Sequence, residues 1–287
     1  MENKIAEFQR SKSAAEKKII IGGLVLILGI LIFIINQNLI ILAIPVGITG
    51  IVFLILGYSR FNKMNHEFKL VIMKDLIEDF VDNGHYDPKA GLSARQVYDT
   101  EFIKHADRFH TEDYVSGSMD GVDFISSDVK LEERHVRRTK NGTQTYYITY
   151  FMGRIFRFEF NKNFDGYLQV LEGGRPQVKR NYNKVKLESV VFNKKFKTYS
   201  SNDHSAFYVL TPHFMESLMK FEKENKGKIS FSFIDNMLYI GISNMRDTFE
   251  LKMFTAIDKN TVSGFKQELL VIKEVIDELK LNRNIFK

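Results

Sequence analysis

The sequence predicts a two-helix transmembrane hairpin followed by a soluble α+β domain with a mainly antiparallel sheet. Three observations predict it. Two charge-free apolar runs lie near the N-terminus with three polar residues between them. Apolar residues then alternate with period two through the middle of the chain, and recur at three and four residues in the segments that flank it. The boundaries read as a basic N-terminus over 1–18, a hairpin over 19–58 with spans at 19–35 and 39–58, and a soluble domain over 59–287.

The spans come first. Residues 19–35 carry no polar side chain, and Asn36, Gln37 and Asn38 interrupt the run before residues 39–56 resume it, broken only by Thr49. At a rise of about 1.5 Å per residue, each run reaches roughly 26–30 Å, which matches a hydrocarbon core of about 30 Å. A small-residue cleavage site of the kind that ends a signal peptide is missing, and a second span follows at once. Lys4, Arg10, Lys12, Lys17 and Lys18 precede the first span, Arg60, Lys63, Lys69 and Lys74 follow the second, and the link is uncharged. This asymmetry predicts a cell-membrane protein with two spans whose N-terminus and soluble domain are cytoplasmic. Gly22 and Gly29 are seven residues apart, as are Gly50 and Gly57, so each pair shares one helical face suited to close packing of the hairpin or of copies in an oligomer. Neither span holds an ionisable residue, which argues against an ion relay.

In the soluble part, Met64, Phe68, Val71, Ile72, Leu76 and Phe80 predict a helix over 61–81 that Asn83-Gly84 ends. Asp87-Pro88 and Gly91 mark a loop, Ser93 caps a short helix through Val97, and 102–108 reads as a further short turn. Extended segments follow on either side of Asp120-Gly121 and over 122–136, with a polar loop over 137–143. Residues 146–160 alternate in two phases that meet at Gly153, which suggests a bulge. Asp165-Gly166 is the next turn, and strands are expected over 167–171, 184–191 and 196–199. Asn202 or Asp203 caps a helix over 205–210, and Thr211-Pro212 opens another with Phe214, Leu218 and Phe221 on its apolar face. A hairpin crosses Asp235-Asn236. Thr261 or Ser263 opens the last helix, whose stripe is Phe265, Leu269, Ile272, Val275, Ile276 and Leu279. The expectation is about eight strands.

Several groups carry a family resemblance. They are Val191-Phe192 through Tyr199-Ser200, then Asp203, Ala206, Tyr208, Leu210-Thr211-Pro212 and Met215, together with Tyr86-Asp87-Pro88, Asp113 through Gly117, and Phe151 through Lys162. With the basic N-terminus, hairpin and soluble domain, this pattern resembles a bacterial family known as a domain of unknown function, number thirty-one thirty-seven. The resemblance covers most of the chain and implies the layout but no activity.

No catalytic, metal or cofactor residue is singled out. With no cysteine, the chain has no disulfide, thiol nucleophile or thiolate metal site. Among seven histidines, His105 and His110 lie near Asp107 and Glu112 without a metal-ligand spacing, and Asp203-His204 is explained by capping. Glu172 through Pro176 lacks the Lys-Ser/Thr of a phosphate loop and reads as a turn.

Charge is the informative feature. Residues 75–128 hold thirteen acidic and four basic side chains, whereas 175–199 hold eight basic and one acidic, against a chain total of +6. The candidate anion-binding residues are Arg175, Lys179, Arg180, Lys184, Lys186, Lys194, Lys195 and Lys197; Arg134, Arg137, Arg138 and Lys140 form a second basic group. Lys184 and Lys186 alternate with Val185 and Leu187 as on an ordinary solvated strand. The sharper expectation is a surface for anionic lipid headgroups or a protein partner. Tyr182 and Phe192 would permit base stacking, but no nucleic-acid-binding signature accompanies them. The sequence thus points to a membrane-anchored binding module; the alternatives are an enzyme whose site is assembled from distant residues and an oligomeric channel-like assembly.

Overall fold

The computed structural model describes residues 2–140, 142–159, 166–177, 182–246 and 249–281. The chain divides into two units, residues 1–73 with 249–265, and residues 74–248 with 266–287.

The first unit is a helical hairpin with an extra segment. Helix α1 (Glu2–Ile35) leads through a 3-10 turn (Gln37–Leu39) into α2 (Ile40–Phe80). Both are long and apolar enough to cross a membrane, and large apolar side chains such as Leu24, Ile34, Ile41 and Ile55 are more than half exposed. Exposed aliphatics in this density match a lipid environment. The two helices approach at glycines: a Cβ on Gly22 would lie 2.8 Å from Leu54 N, and one on Gly50 would lie 2.6 Å from Leu26 N. Any larger residue would force the backbones apart.

Residues 249–265 complete this unit. Phe249, Leu251, Ile257 and Phe265 are buried along with Phe61, Met64, Phe68 and Ile72 of α2. Phe68 meets Phe8 edge to face at 5.3 Å and Phe265 at 5.8 Å. The backbone before α7 (Lys259–Leu279) is irregular, so its N–H groups need side-chain partners. Gln9 accepts from Ile257 N at 2.6 Å, Glu16 from Phe254 N at 2.7 Å, and Asn65 from Leu251 N at 3.4 Å.

The second unit carries a nine-stranded sheet, antiparallel throughout. Its strands are β1 (Asp82–Asp87), β2 (Arg108–Met119), β3 (Val122–Thr139), β4 (Gly142–Glu159), β5 (Tyr167–Leu171), β6 (Asn183–Val185), β7 (Lys197–Ser200), β8 (Lys228–Ile234) and β9 (Met237–Ser243). The order is β1-β2-β3-β4-β9-β8-β5-β7-β6. One sheet face bears Phe156, Phe158, Phe231 and Phe233. Helix α6 (Pro212–Glu224) packs there, with Phe221 6.0 Å from Phe231 and Phe214 6.0 Å from Phe233. The predicted stripe of α7 is buried along its length. The opposite face bears Ile125, Val129 and Ile155, which join Leu92, Val97 and Ile103 around α3 (Ala94–Tyr98) in a second cluster.

Several local expectations change. Asn83-Gly84 does not simply end a helix: Asn83 takes φ +51 and the pair forms a bulge in β1, which pairs with β2. Residues 137–139 and 142–143 are strand and not loop, because β3 and β4 stay paired as far as Thr139 and Gly142. The bulge in β4 falls at Tyr150, where the register shifts, and not at Gly153. Gly153 is needed for another reason: at φ +153, a Cβ would sit 2.0 Å from the Ile242 carbonyl oxygen of β9. Asp258, and not Thr261, caps α7; its carboxylate accepts from Thr261 N at 3.0 Å, which holds its pKa below the usual carboxylate value. Asp165 of the predicted Asp165-Gly166 turn, Asn141, and Phe160 through Lys162 lie outside the described residues.

Residues 184–191 are not one strand. β6 ends at Val185 and a six-residue helix α4 (Val190–Lys195) begins at Val190. Ser189 caps α4 by accepting from Phe192 N at 3.2 Å. The Asn193 amide donates to Leu187 O at 2.6 Å and Ser189 O at 2.8 Å, and its oxygen accepts from Leu187 N. These bonds satisfy the backbone that a strand ladder would have used.

Candidate functional site

The predicted basic segment folds as β6, α4 and β7 at one edge of the sheet. Lys184, Lys186, Lys194 and Lys197 are exposed, as is Arg175 beyond the end of β5. Among the described residues, no carboxylate pairs with these five. Lys195 differs: it bridges Glu172 at 2.9 Å and Glu222 at 2.6 Å. The hydrogen bonds to Glu222 and Glu172 raise its pKa, so it is a cation committed to the fold. Lys179 and Arg180 lie outside the described residues.

Both aromatics are engaged within the fold. Phe192 is fully buried and packs on Phe196 at 5.0 Å. Tyr182 stacks on Tyr167 at 5.2 Å and meets Tyr199 edge to face.

Apolar side chains do reach the surface beside the lysines, a feature the sequence reading missed. Helix α4 turns Phe192 inward, which leaves Val190 and Val191 66% and 62% exposed. Helix α5 (Asp203–Val209), capped by Asn202, buries Ala206 and Val209 and leaves Phe207 and Tyr208 about half exposed. Lys186, Leu187, Glu188, Val190, Asn193, Lys194 and Phe207 line one groove of about 580 Å³. A helical period over 190–195 is too short to register as amphipathic, so the signal was available only in the Ser189–Phe192 cap.

The second basic group occupies a different structure. β2 pairs with β3 only up to Glu132, and β9 pairs with β4 only from Gly153. Among the described residues, 133–139 and 142–148 therefore form strand pairs only with each other, as a two-stranded ribbon about 23 Å long. Arg134, Arg137, Arg138 and Lys140 are exposed on it, and Val136, Tyr146 and Ile148 are about half exposed. Its acid Glu133 is bound by Lys104 at 2.6 Å, which lowers the pKa of that carboxyl.

Charged residues also converge inside the second unit. Arg154 donates to Asp113 O at 2.8 Å and to Ser126 Oγ at 3.3 Å, and lies 3.4 Å from Asp128. Tyr86 donates to Asp113 at 2.5 Å, and burial with that carboxylate pushes its phenol pKa far up. Asp113, Arg154 and Asp128 are all buried. A group sealed to this degree fixes the packing of β2, β3 and β4 and offers no open position for a substrate. His105 lies against Tyr98 with ring centroids 4.0 Å apart and planes tilted by 40°, while His110 lies 3.4 Å from Glu112.

No curated protein matches the chain. Among solved structures it is similar to the crystal structure of the mycobacterial trehalose monomycolate transport factor A, TtfA, with TM-score 0.36 and 9% identity, over 66% of this chain and 88% of that one. Residues 149–281 match the model of the family described as "Protein of unknown function (DUF3137)", the family that the sequence resembles.

Proposed function

We propose that this protein is a non-enzymatic module held in a cell membrane by the α1–α2 hairpin, with its sheet unit on the cytoplasmic side, and that the exposed lysines of β6, α4 and β7 engage anionic lipid headgroups. The observation that carries the reading is the set of exposed lysines at the sheet edge that meet no carboxylate among the described residues, in a chain with two membrane-length helices. Each such cation near an anionic leaflet contributes up to about 1 kcal/mol, and a tethered domain needs little more to be oriented. The test is hydrogen exchange over 183–200 in the full chain, reconstituted in bilayers of phosphatidylcholine with or without phosphatidylglycerol. Protection that appears with the anionic lipid and fades at high salt supports the reading. Equal exchange in both bilayers overturns it.

A second reading, a protein partner, is favoured by the ribbon of β3 and β4. Among the described residues its two strands pair with no third strand at their outer edges, where Arg134 N donates to Asp107, and its net charge is positive, with four cations against Glu133. Unpaired edges of this kind accept an added strand.

A further inference from the structure

We infer that Val190, Val191 and Phe207 form a wedge that enters the interfacial layer of an anionic bilayer. This rests on the headgroup reading above and goes beyond it: lysines alone would hold the unit at the surface, whereas this patch penetrates.

The observations are geometric. Two valines at the start of α4 and one phenylalanine of α5 are 49–66% exposed, although both helices bury other side chains well. Val190 and Phe207 share one groove with Lys186 and Lys194, and Val191 follows directly on α4. Tyr208 extends the apolar row into a neighbouring groove that it lines with Phe207, His213 and Lys280. Glu188 is the one carboxylate lining the first groove, against two lysines there and Lys184 and Lys197 on the adjoining strands. Contiguous exposed apolar side chains within a basic rim are what an interfacial binding surface requires: the apolar atoms leave water while the long lysine stems let the charges stay at headgroup level. A soluble acidic partner would match the rim, but it would leave the valines without a reason to face solvent. An anionic leaflet matches both, and the two helices of the hairpin are long and apolar enough to hold the chain at a bilayer.

The chain has no cysteine, so a single one can be labelled without background. Val191→Cys carrying an environment-sensitive fluorophore is placed in the full chain and reconstituted as above. A second label at Lys140→Cys, on the ribbon, is the control. The expected result is a blue shift at position 191 and quenching by lipids spin-labelled on the acyl chain. Both appear with phosphatidylglycerol, both are lost in the Lys186→Glu/Lys194→Glu background, and neither appears at position 140. Protection of 183–200 by anionic lipid with an unshifted label at 191 overturns the wedge and leaves the headgroup reading standing. Loss of both signals overturns both. A shift of equal size in phosphatidylcholine alone overturns the requirement for an anionic surface.

Discussion

Lys12 Nζ lies 2.7 Å from a Glu16 carboxylate oxygen one turn further along α1, and the Lys12 side chain is fully out of solvent. Lys12 also donates to the Thr255 carbonyl, while Glu16 accepts from Phe254 N. A charge counted in the sequence as part of a basic flank is thus a buried tie between α1 and residues 249–265. Lys69 is held similarly by Glu250. Breaking a buried pair leaves an uncompensated charge.

Lys12→Ala should therefore destabilise the first unit by about 3 kcal/mol, and Lys12→Met, which removes the charge and keeps the volume, by clearly less. Thermal unfolding in detergent and protease cleavage within 249–258 would read both. Equal loss in the two variants would show that packing, and not the ion pair, matters. A fragment starting after the second span would lack Gln9, Lys12 and Glu16, so the full chain is the proper material for lipid experiments.

Arg154 supports a second prediction. It ties Asp128 and Ser126 of β3 and the Asp113 carbonyl of β2 from its position on β4. Arg154→Ala should cost the second unit about 3–5 kcal/mol, because Asp128 stays buried without its cation. For a unit of this size, that lowers the melting temperature by roughly 10 °C. An unchanged transition would contradict the network.

Glu274 on α7 gives a pH-dependent prediction. Burial, with the Glu224 and Glu278 carboxylates nearby, pushes its pKa up to about 7, against the Asn225 amide that donates to it at 3.1 Å. The folded pKa lies above the unfolded value of 4.5, so between these limits the folded state holds an extra proton. Stability contributed by this group is present below pH 4.5 and is lost as pH rises towards 7. Glu274→Gln should match the parent at pH 4 and exceed it at pH 8 by about 1 kcal/mol, a modest gain because the side chain is half solvated. Denaturant unfolding at the two pH values reads the difference; a gain at pH 4 would reverse the assignment.

How much was legible in the sequence depended on the range of the forces involved. The two apolar helices, the α6 and α7 stripes, and the β8–β9 hairpin rest on local sequence pattern, and each appears where its pattern lies. The Ser93 cap of α3 is equally local and was readable, while its reciprocal bond with Gln96 was not read. The failures are places where a distant partner decides. Asn83-Gly84 reads as a stop signal, and α2 does end at Phe80, but the pairing of the following residues with β2, in which the two form a bulge, was missed. Gly153 reads as a bulge, but β9 sets its conformation. The basic segment was visible as charge, while the difference between Lys194 and Lys195 depends on Glu172 and Glu222. No sequence window contains all three.

That difference yields the last prediction. Lys194 and Lys195 are neighbours on α4, yet among the described residues only Lys195 meets carboxylates, one at the end of β5 and one on α6. Lys195 is partly exposed, so removing it as Lys195→Ala should cost the fold only about 0.5–1 kcal/mol. Lys194→Ala should leave stability within about 0.5 kcal/mol of the parent, as at an ordinary surface position. Lipid response should order the other way. In the full chain reconstituted with phosphatidylglycerol, Lys194→Ala should reduce the protection of 183–200 and Lys195→Ala should preserve it, because the two glutamates already neutralise Lys195. Measuring unfolding and exchange on the same pair of variants separates a cation that holds the sheet edge together from one that faces the membrane. If both variants lose protection equally, the response follows total charge and the edge lysines have no special place in it.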